Sequence, residues 1–286
     1  MRDFNVAVYN MIKRKNDIKA FSFIEYELPF WQRLLIRVFE HTTGKRKLIK
    51  IYQKIIDQDD TGLSFWDRAV AHLDLQIKIN GYPLELIPKS GSLLIIANHP
   101  FGQIDGLVLG YLLEKIRPDF KLIAWDILNA SSYFKEIILP ISFKDEYASK
   151  KNNFLTMRDS IHHLKQGKAI AIFPAGETAL SKSFLGKARD AQWKKFTSKI
   201  VKATGTPVLP VFFHGQNSRL FQIIGNFNLT LKLSMFFHEI CNMIGKDVYL
   251  TIGSILNWAD YGSDMDENDL IDFLYHETEK LSHEPI

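Results

Sequence analysis

The sequence predicts an α/β fold, with a mixed central sheet flanked by helices and an N-terminal amphipathic helical pair. Three observations predict it. Short apolar runs that read as buried strands recur along the chain: Leu93–Ala97, Lys121–Trp125, Ala169–Phe173, Val208–Phe213 and Val248–Ile252. Segments with helical spacing lie between them. Stop signals such as Asn98-His99-Pro100 and Pro174-Ala175-Gly176 follow directly on strand ends. With 286 residues, 46% hydrophobic and 24% charged, the chain has a globular composition and can bury a sizeable core. Its one cysteine, Cys241, excludes an internal disulfide and fits a reducing compartment. The net charge of +4 permits attraction to anionic membranes or phosphorylated ligands without requiring either.

Met1 to Glu27 has no strong period, and its Lys13-Arg14-Lys15 cluster reads as a solvated face. The first residues lack the apolar core of a signal peptide. Pro29 opens a helical pattern in which Phe30, Trp31, Leu34, Leu35, Val38 and Phe39 share one face. Arg33, Arg37 and Glu40 take the other, and Thr42-Thr43-Gly44 ends the run. The basic Lys45-Arg46-Lys47 precedes a second helical run, Leu48 to Ile56, which carries Lys50 and Lys54. Such a pair can lie in a membrane interface or pack on the protein's own core. Periodicity alone favours packing. No apolar run approaches the ~20 residues of a membrane-spanning helix. Phe65 to Leu75 is helical, so we divide the chain into an N-terminal helical region, 1–75, and an α/β domain, 76–286.

The α/β domain begins with Gln76–Ile79 as a strand and Asn80-Gly81 as a turn. After the strand Leu93–Ala97, Leu107 to Leu113 reads as a helix. Beyond Lys121–Trp125, Tyr133 to Leu139 reads as a short helix and Pro140 to Phe143 as a strand end. Asn153 to Leu164 is a helix capped by Gly167. Lys182 to Lys199 is basic, with Lys182, Lys187, Arg189, Lys194, Lys195 and Lys199 against the single acid Asp190. Leu220 to Ile244 is apolar and helix-like, interrupted at Gly225. After the strand Val248–Ile252, the acidic run Asp264 to Asp269 precedes a terminal helix, Leu270 to Leu281. There is no metal-ligand cluster, since His162 and His163 are adjacent.

The chemistry centres on Leu93–Gly106. His99 falls at the carboxyl end of a strand, the edge where open α/β sheets bind ligands. Pro100 and Gly102 rule out a continuous helix from His99 to Asp105 and permit a turn that folds Asp105 back onto the imidazole. A carboxylate on one ring nitrogen fixes the tautomer and leaves the other nitrogen as a general base. The alternative is a strand-end histidine beside a helix-capping aspartate. Ser218 lacks a Gly-x-Ser-x-Gly elbow and is no nucleophile.

Asn98-His99 followed by Asp105 resembles the first motif of the glycerolipid (1-acylglycerol-3-phosphate) acyltransferase superfamily, with five intervening residues where four are usual. Phe173-Pro174-Ala175-Gly176-Glu177 resembles the third motif, with Ala175 in place of the usual Glu. Val208-Leu209-Pro210-Val211 resembles the fourth. Those spacings, and Asn217-Ser218-Arg219-Leu220-Phe221, resemble the hemolysin-type, lyso-ornithine-lipid acyltransferase branch. The second motif's phosphate-binding Arg has no counterpart near Lys144-Asp145.

The resemblance implies transfer of a fatty-acyl group from an acyl thioester, acyl-carrier-protein or coenzyme A, to the hydroxyl of a lyso-lipid, most simply a lyso-aminolipid. His99 is then the base and Asp105 its orienting partner. Phe173, Pro174, Gly176, Glu177, Asn217 and Arg219 line the substrate site, and amides near Gly176 meet the oxyanion. The cations Lys182, Lys187, Arg189, Lys194 and Lys195 meet the donor's phosphates or carrier protein. The resemblance implies no bound cofactor, no metal and no nucleic-acid partner, but a peripheral site on the cytoplasmic membrane face. A lysophospholipid acceptor, or a non-catalytic acyl-carrier- or lipid-binding protein on this fold, are the alternatives.

Overall fold

A computed structural model describes residues 44–57, 62–125, 134–142, 147–183, 186–227, 229–262 and 264–284. The helix expected over Phe30–Phe39 lies outside them. Helix α1 (Lys45–Asp57) and α2 (Phe65–His72) lead into β1 (Gln76–Gly81) and β2 (Leu93–Ala97). Then follow α3 (Gln103–Ile116), β3 (Lys121–Trp125), β4 (Ile138–Ile141), α4 (Tyr147–Lys165) and β5 (Ala169–Ile172). The chain continues through α5 (Lys195–Thr204), β6 (Val208–His214), α6 (Arg219–Phe227), α7 (Leu229–Met243) and β7 (Asp247–Ile252). The short α8 (Trp258–Tyr261) and α9 (Glu267–Lys280) close it.

The seven strands form one sheet in the order β1-β7-β6-β2-β5-β3-β4. Every pair is parallel except β6 with β7, so the sheet is mixed as expected. β2, at its centre, is buried on both faces, which is why its sequence is uniformly apolar instead of alternating. Leu93, Ile95 and Ala97 join one core with residues of α2, α3 and α7. Leu94 and Ile96 join the other, with Leu164 of α4, Ile200 and Val201 of α5, and Leu270 and Leu274 of α9. At the amino end of these strands Arg117 is fully buried. Its guanidinium holds Asp119 in a fork at 2.9 and 2.8 Å and donates to the carbonyls of Pro88, Gly91 and Gly167. It thereby ties the segments entering β2 and β5 together.

Three local expectations are corrected. Residues 134–137 form a turn, with the amide of Ile138 donating to the carbonyl of Phe134 at 2.7 Å, and the chain then enters β4. The apolar spacing of Tyr133–Leu139 suits one helical turn, but Ile138 to Ile141 gain more by pairing with β3. Pro140 is tolerated there because β4 is an edge strand. Asn80-Gly81 is no turn but the end of β1, paired in parallel with Thr251 and Ile252 of β7. Gly81 adopts φ +88° and lets the chain pass the carbonyl of Ile252, which a Cβ would meet at 2.2 Å. Gly225 lies inside α6, where a Cβ would meet the Leu180 side chain at 2.7 Å. The helix runs through Gly225 to Phe227, so the interruption expected at Gly225 does not occur there.

Candidate active site

Asn98 ends β2 with its side chain in place of a further backbone pair. Its Nδ2 donates to the carbonyl of Phe213 at 3.0 Å, and its Oδ1 accepts from the Phe213 amide at 2.6 Å. This anchors the first residue past the strand to β6 and presents His99 at the sheet's carboxyl edge. The His99 backbone is held on both sides. Its N–H donates to Asp190 Oδ1 at 3.0 Å, and its carbonyl accepts from the Ala179 amide at 2.9 Å. The imidazole stacks on Phe173, with centroids 4.0 Å apart and planes at 25°.

His99 Nδ1 lies 3.1 Å from Asp105 Oδ2. The contact is close but bent, so Nδ1 lacks a well-aligned hydrogen bond. The same Oδ2 accepts from the amides of Phe101 at 2.8 Å and Gly102 at 2.9 Å. Asp105 thus serves as the first-turn acid of α3 and as the neighbour of the imidazole, the placement that both readings of the sequence call for. The turn that allows this needs Gly102, which adopts φ +75° and ψ −115°. A Cβ there would meet the Phe236 ring at 2.9 Å. Asp105 is fully buried, and burial pushes its carboxyl up against the pull of His99 and the two amides. The His99 side chain is 18% exposed, with Nδ1 turned inward, which leaves Nε2 for a substrate.

In the sequence Asp190 is only the acid within a basic stretch, yet it reaches this site. Its Oδ2 accepts from Trp193 Nε1 at 2.9 Å while Oδ1 holds the His99 amide. The residue keeps some solvent contact, but its carboxyl is enclosed. Burial, with the charge of Asp105 adding to it, pushes the carboxyl up to about 6. The legible signal was an acid three residues before a Trp in an otherwise cationic run.

The other expected residues divide. Phe173 stacks on the imidazole, and Pro174 is buried behind it, its carbonyl accepting from the Lys194 amide at 2.9 Å. Gly176 adopts φ +73°, and its amide donates to the carbonyl of Phe173 at 3.0 Å. That one amide is engaged in the turn. Glu177 is exposed and lies 3.6 Å from Nζ of the buried Lys232. Asn217 is buried, and neither atom of its amide finds a hydrogen-bond partner among the described residues. Arg219 is exposed and donates to the carbonyl of Gly186. Ser218 donates to the carboxylate of Glu239, at 2.8 Å through its amide and 2.6 Å through its hydroxyl.

Lys182, Lys187, Arg189, Lys194 and Lys195 are all exposed. Their segment is pinned to the strand edge where Leu180 pairs with Arg189 and where the Ala188 amide donates to Gln216 Oε1 at 2.8 Å. The described residues hold no cluster of metal ligands. They also include no helix long and apolar enough to cross a membrane. The arrangement sets a partly exposed imidazole, able to take up a proton, against a buried carboxylate and beside a cationic rim.

A family model described as acyltransferase matches residues 71–277. The chain is 26% identical over 235 residues to a lyso-glycine lipid O-acyltransferase of Phocaeicola vulgatus, covering 76% of this chain and 81% of that one. It is 27% identical over 212 residues to a lyso-glycine lipid O-acyltransferase of Bacteroides thetaiotaomicron, covering 71% of this chain and 74% of that one. Among solved structures it is similar to the 1-acyl-sn-glycerophosphate acyltransferase PlsC of Thermotoga maritima, with TM-score 0.49 and 18% identity over 98% of this chain and 99% of that one.

Proposed function

The chain belongs to the acyltransferase family, within the glycerolipid acyltransferase superfamily, and is an acyltransferase; from that premise we propose that it moves a fatty-acyl group from an acyl thioester to the hydroxyl of a lyso-lipid. The observation that carries the mechanism is the 3.1 Å approach of Asp105 to His99 Nδ1, with the ring open on its other side. Asp105 favours the tautomer with the proton on Nδ1, so Nε2 is the base. Nε2 takes the proton as the acceptor oxygen attacks the thioester carbonyl. The tetrahedral intermediate collapses with loss of the C–S bond, and the imidazolium returns its proton to the leaving thiolate. No acyl-enzyme is formed.

The acceptor is a lyso-aminolipid of the glycine or ornithine type. Support comes from the two relatives named as lyso-glycine lipid O-acyltransferases and from Glu177 and Asn217 beside the strand ends. The donor is acyl-carrier-protein or acyl-coenzyme A, supported by the exposed cations from Lys182 to Lys195. Binding is at the membrane surface. The test is acyl transfer by purified protein from each thioester to lyso-lipid, read by mass spectrometry. His99→Ala should lower turnover about 10²–10⁴-fold with an unchanged circular dichroism spectrum. Undiminished turnover in that variant overturns the mechanism.

A further inference from the structure

Lys232 takes no part in the proton transfer, yet it is 3% exposed and lies at the same edge. Its Nζ donates to the Thr178 carbonyl at 3.3 Å and faces Glu177 at 3.6 Å. Burying an ammonium is costly unless a close partner offsets it. Here the partner is loose and half in water, since the Glu177 side chain is 51% exposed. Burial pulls the Lys232 ammonium down, and Glu177 opposes this.

The location of this cation is specific. The peptide group whose oxygen accepts from Lys232 is the one whose N–H, on Ala179, donates to the His99 carbonyl at 2.9 Å. One peptide group therefore separates the cation from the backbone of the base. One turn further along α7, Phe236 stands against Gly102, in the turn that brings Asp105 to His99. Lys232 and Phe236 both face the strand-end loops.

We propose that Lys232 reads the acceptor's headgroup: its ammonium binds the carboxylate of an acidic lyso-lipid, and Glu177 holds that carboxylate's place until the acceptor displaces it. The proposal rests on the lyso-lipid reading above. A carboxylate already sits beside Nζ. A phosphate, with more charge and more oxygens, calls for further donors, and Arg219 is directed to the Gly186 carbonyl. An amino acid joined to a fatty chain through its amine keeps a free carboxylate, so glycine- and ornithine-type acceptors both offer one.

The test uses the full chain, one acyl thioester donor and three acceptors in detergent micelles: an N-(hydroxyacyl)glycine, its methyl ester, and a lysophosphatidic acid. Binding of the acid and the ester is also measured by calorimetry without donor. Wild type should prefer the acid to the ester at least tenfold in kcat/KM, through KM. In Lys232→Met the preference should fall within twofold, with kcat on the ester retained, and Lys232→Arg should recover part of it. Glu177→Gln should lower KM for the acid two- to threefold. A purely structural lysine would affect acid and ester alike. Equal use of acid and ester by wild type overturns the proposal. So does an unchanged preference in Lys232→Met, or a Lys232-dependent preference for the phosphate over the carboxylate. Should Lys232→Met fail to fold, an unchanged KM in Glu177→Gln overturns it. Wild type that acylates none of the three acceptors refutes the lyso-lipid reading instead, and the binding measurement still decides for or against Lys232.

Discussion

Asp105 and Asp190 hold His99 in different ways. Asp105 touches the ring, while Asp190 holds only the backbone amide. Asp105→Asn keeps an oxygen for the amides of Phe101 and Gly102 but loses the charge that steadies an imidazolium. We expect turnover to fall about 10²–10⁴-fold, with little change in the urea midpoint. Equal turnover of the two proteins would remove Asp105 from the mechanism. Asp190 makes a prediction about pH. Its carboxyl sits near 6 in the folded state against 3.8 ordinarily, so the folded protein binds that proton more tightly than the unfolded chain does. Its contribution is fully present below pH 4 and is lost as pH rises through about 6, a difference of about 3 kcal/mol. Asp190→Asn should therefore flatten the decline in unfolding free energy between pH 4 and 7. Identical pH profiles, measured by urea denaturation, would contradict the assigned environment.

Helix α7 and the N-terminus of α3 together assemble these residues. One face of α7 meets three strand-end loops in succession. Lys232 meets the loop after β5, Phe236 the loop after β2, and Glu239 the loop after β6. The tightest point is Gly102, where left-handed backbone and the Phe236 ring both exclude a side chain. Gly102→Ala should cost about 1–3 kcal/mol and lower turnover at permissive temperature, because Asp105 must shift with the turn. A variant with wild-type thermal midpoint and rate would show that the turn relaxes freely. At the opposite edge Arg117→Met should destabilise by about 3–5 kcal/mol, since Asp119 and three carbonyls lose a shared donor. The rate per folded molecule should be unchanged, because the tie lies at the far end of β2.

For the whole molecule, the sheet sets where chemistry can occur. β2, β5 and β6 are adjacent and parallel, so the loops after them converge at one edge. On the proposed function, the surface beyond that edge meets a lipid. On α1, Arg46, Lys47, Lys50 and Lys54 are exposed while Leu48 and Ile55 are buried, so the helix turns a basic stripe outward. Charges near an anionic surface contribute about 1 kcal/mol each. We expect the protein to sediment with anionic vesicles more than with neutral ones, and Lys47→Glu with Lys50→Glu and Lys54→Glu to weaken that binding at least tenfold. Sedimentation indifferent to both lipid charge and these substitutions would place membrane contact elsewhere.

The amino-acid sequence by itself determined most of the helices, the central strands and the residue types brought together at 99 and 105. Buried strands announce themselves as apolar runs, and Pro100 with Gly102 demands a turn between His99 and Asp105. Only the tertiary structure decided which loops meet. Asp190 reaches His99 from another segment, and Lys232 reaches Thr178 from a helix that follows one strand later; no spacing encodes either contact. The Gly176 amide bonds back to the carbonyl of Phe173, because the packed turn sets its φ at +73°, which no spacing announces. Residues 134–141 went the same way: their pattern suits a helical turn, and the open edge of β3 draws them into the sheet. Local pattern is written in neighbours along the chain. Long-range pairing is a competition for partners that only the assembled sheet resolves.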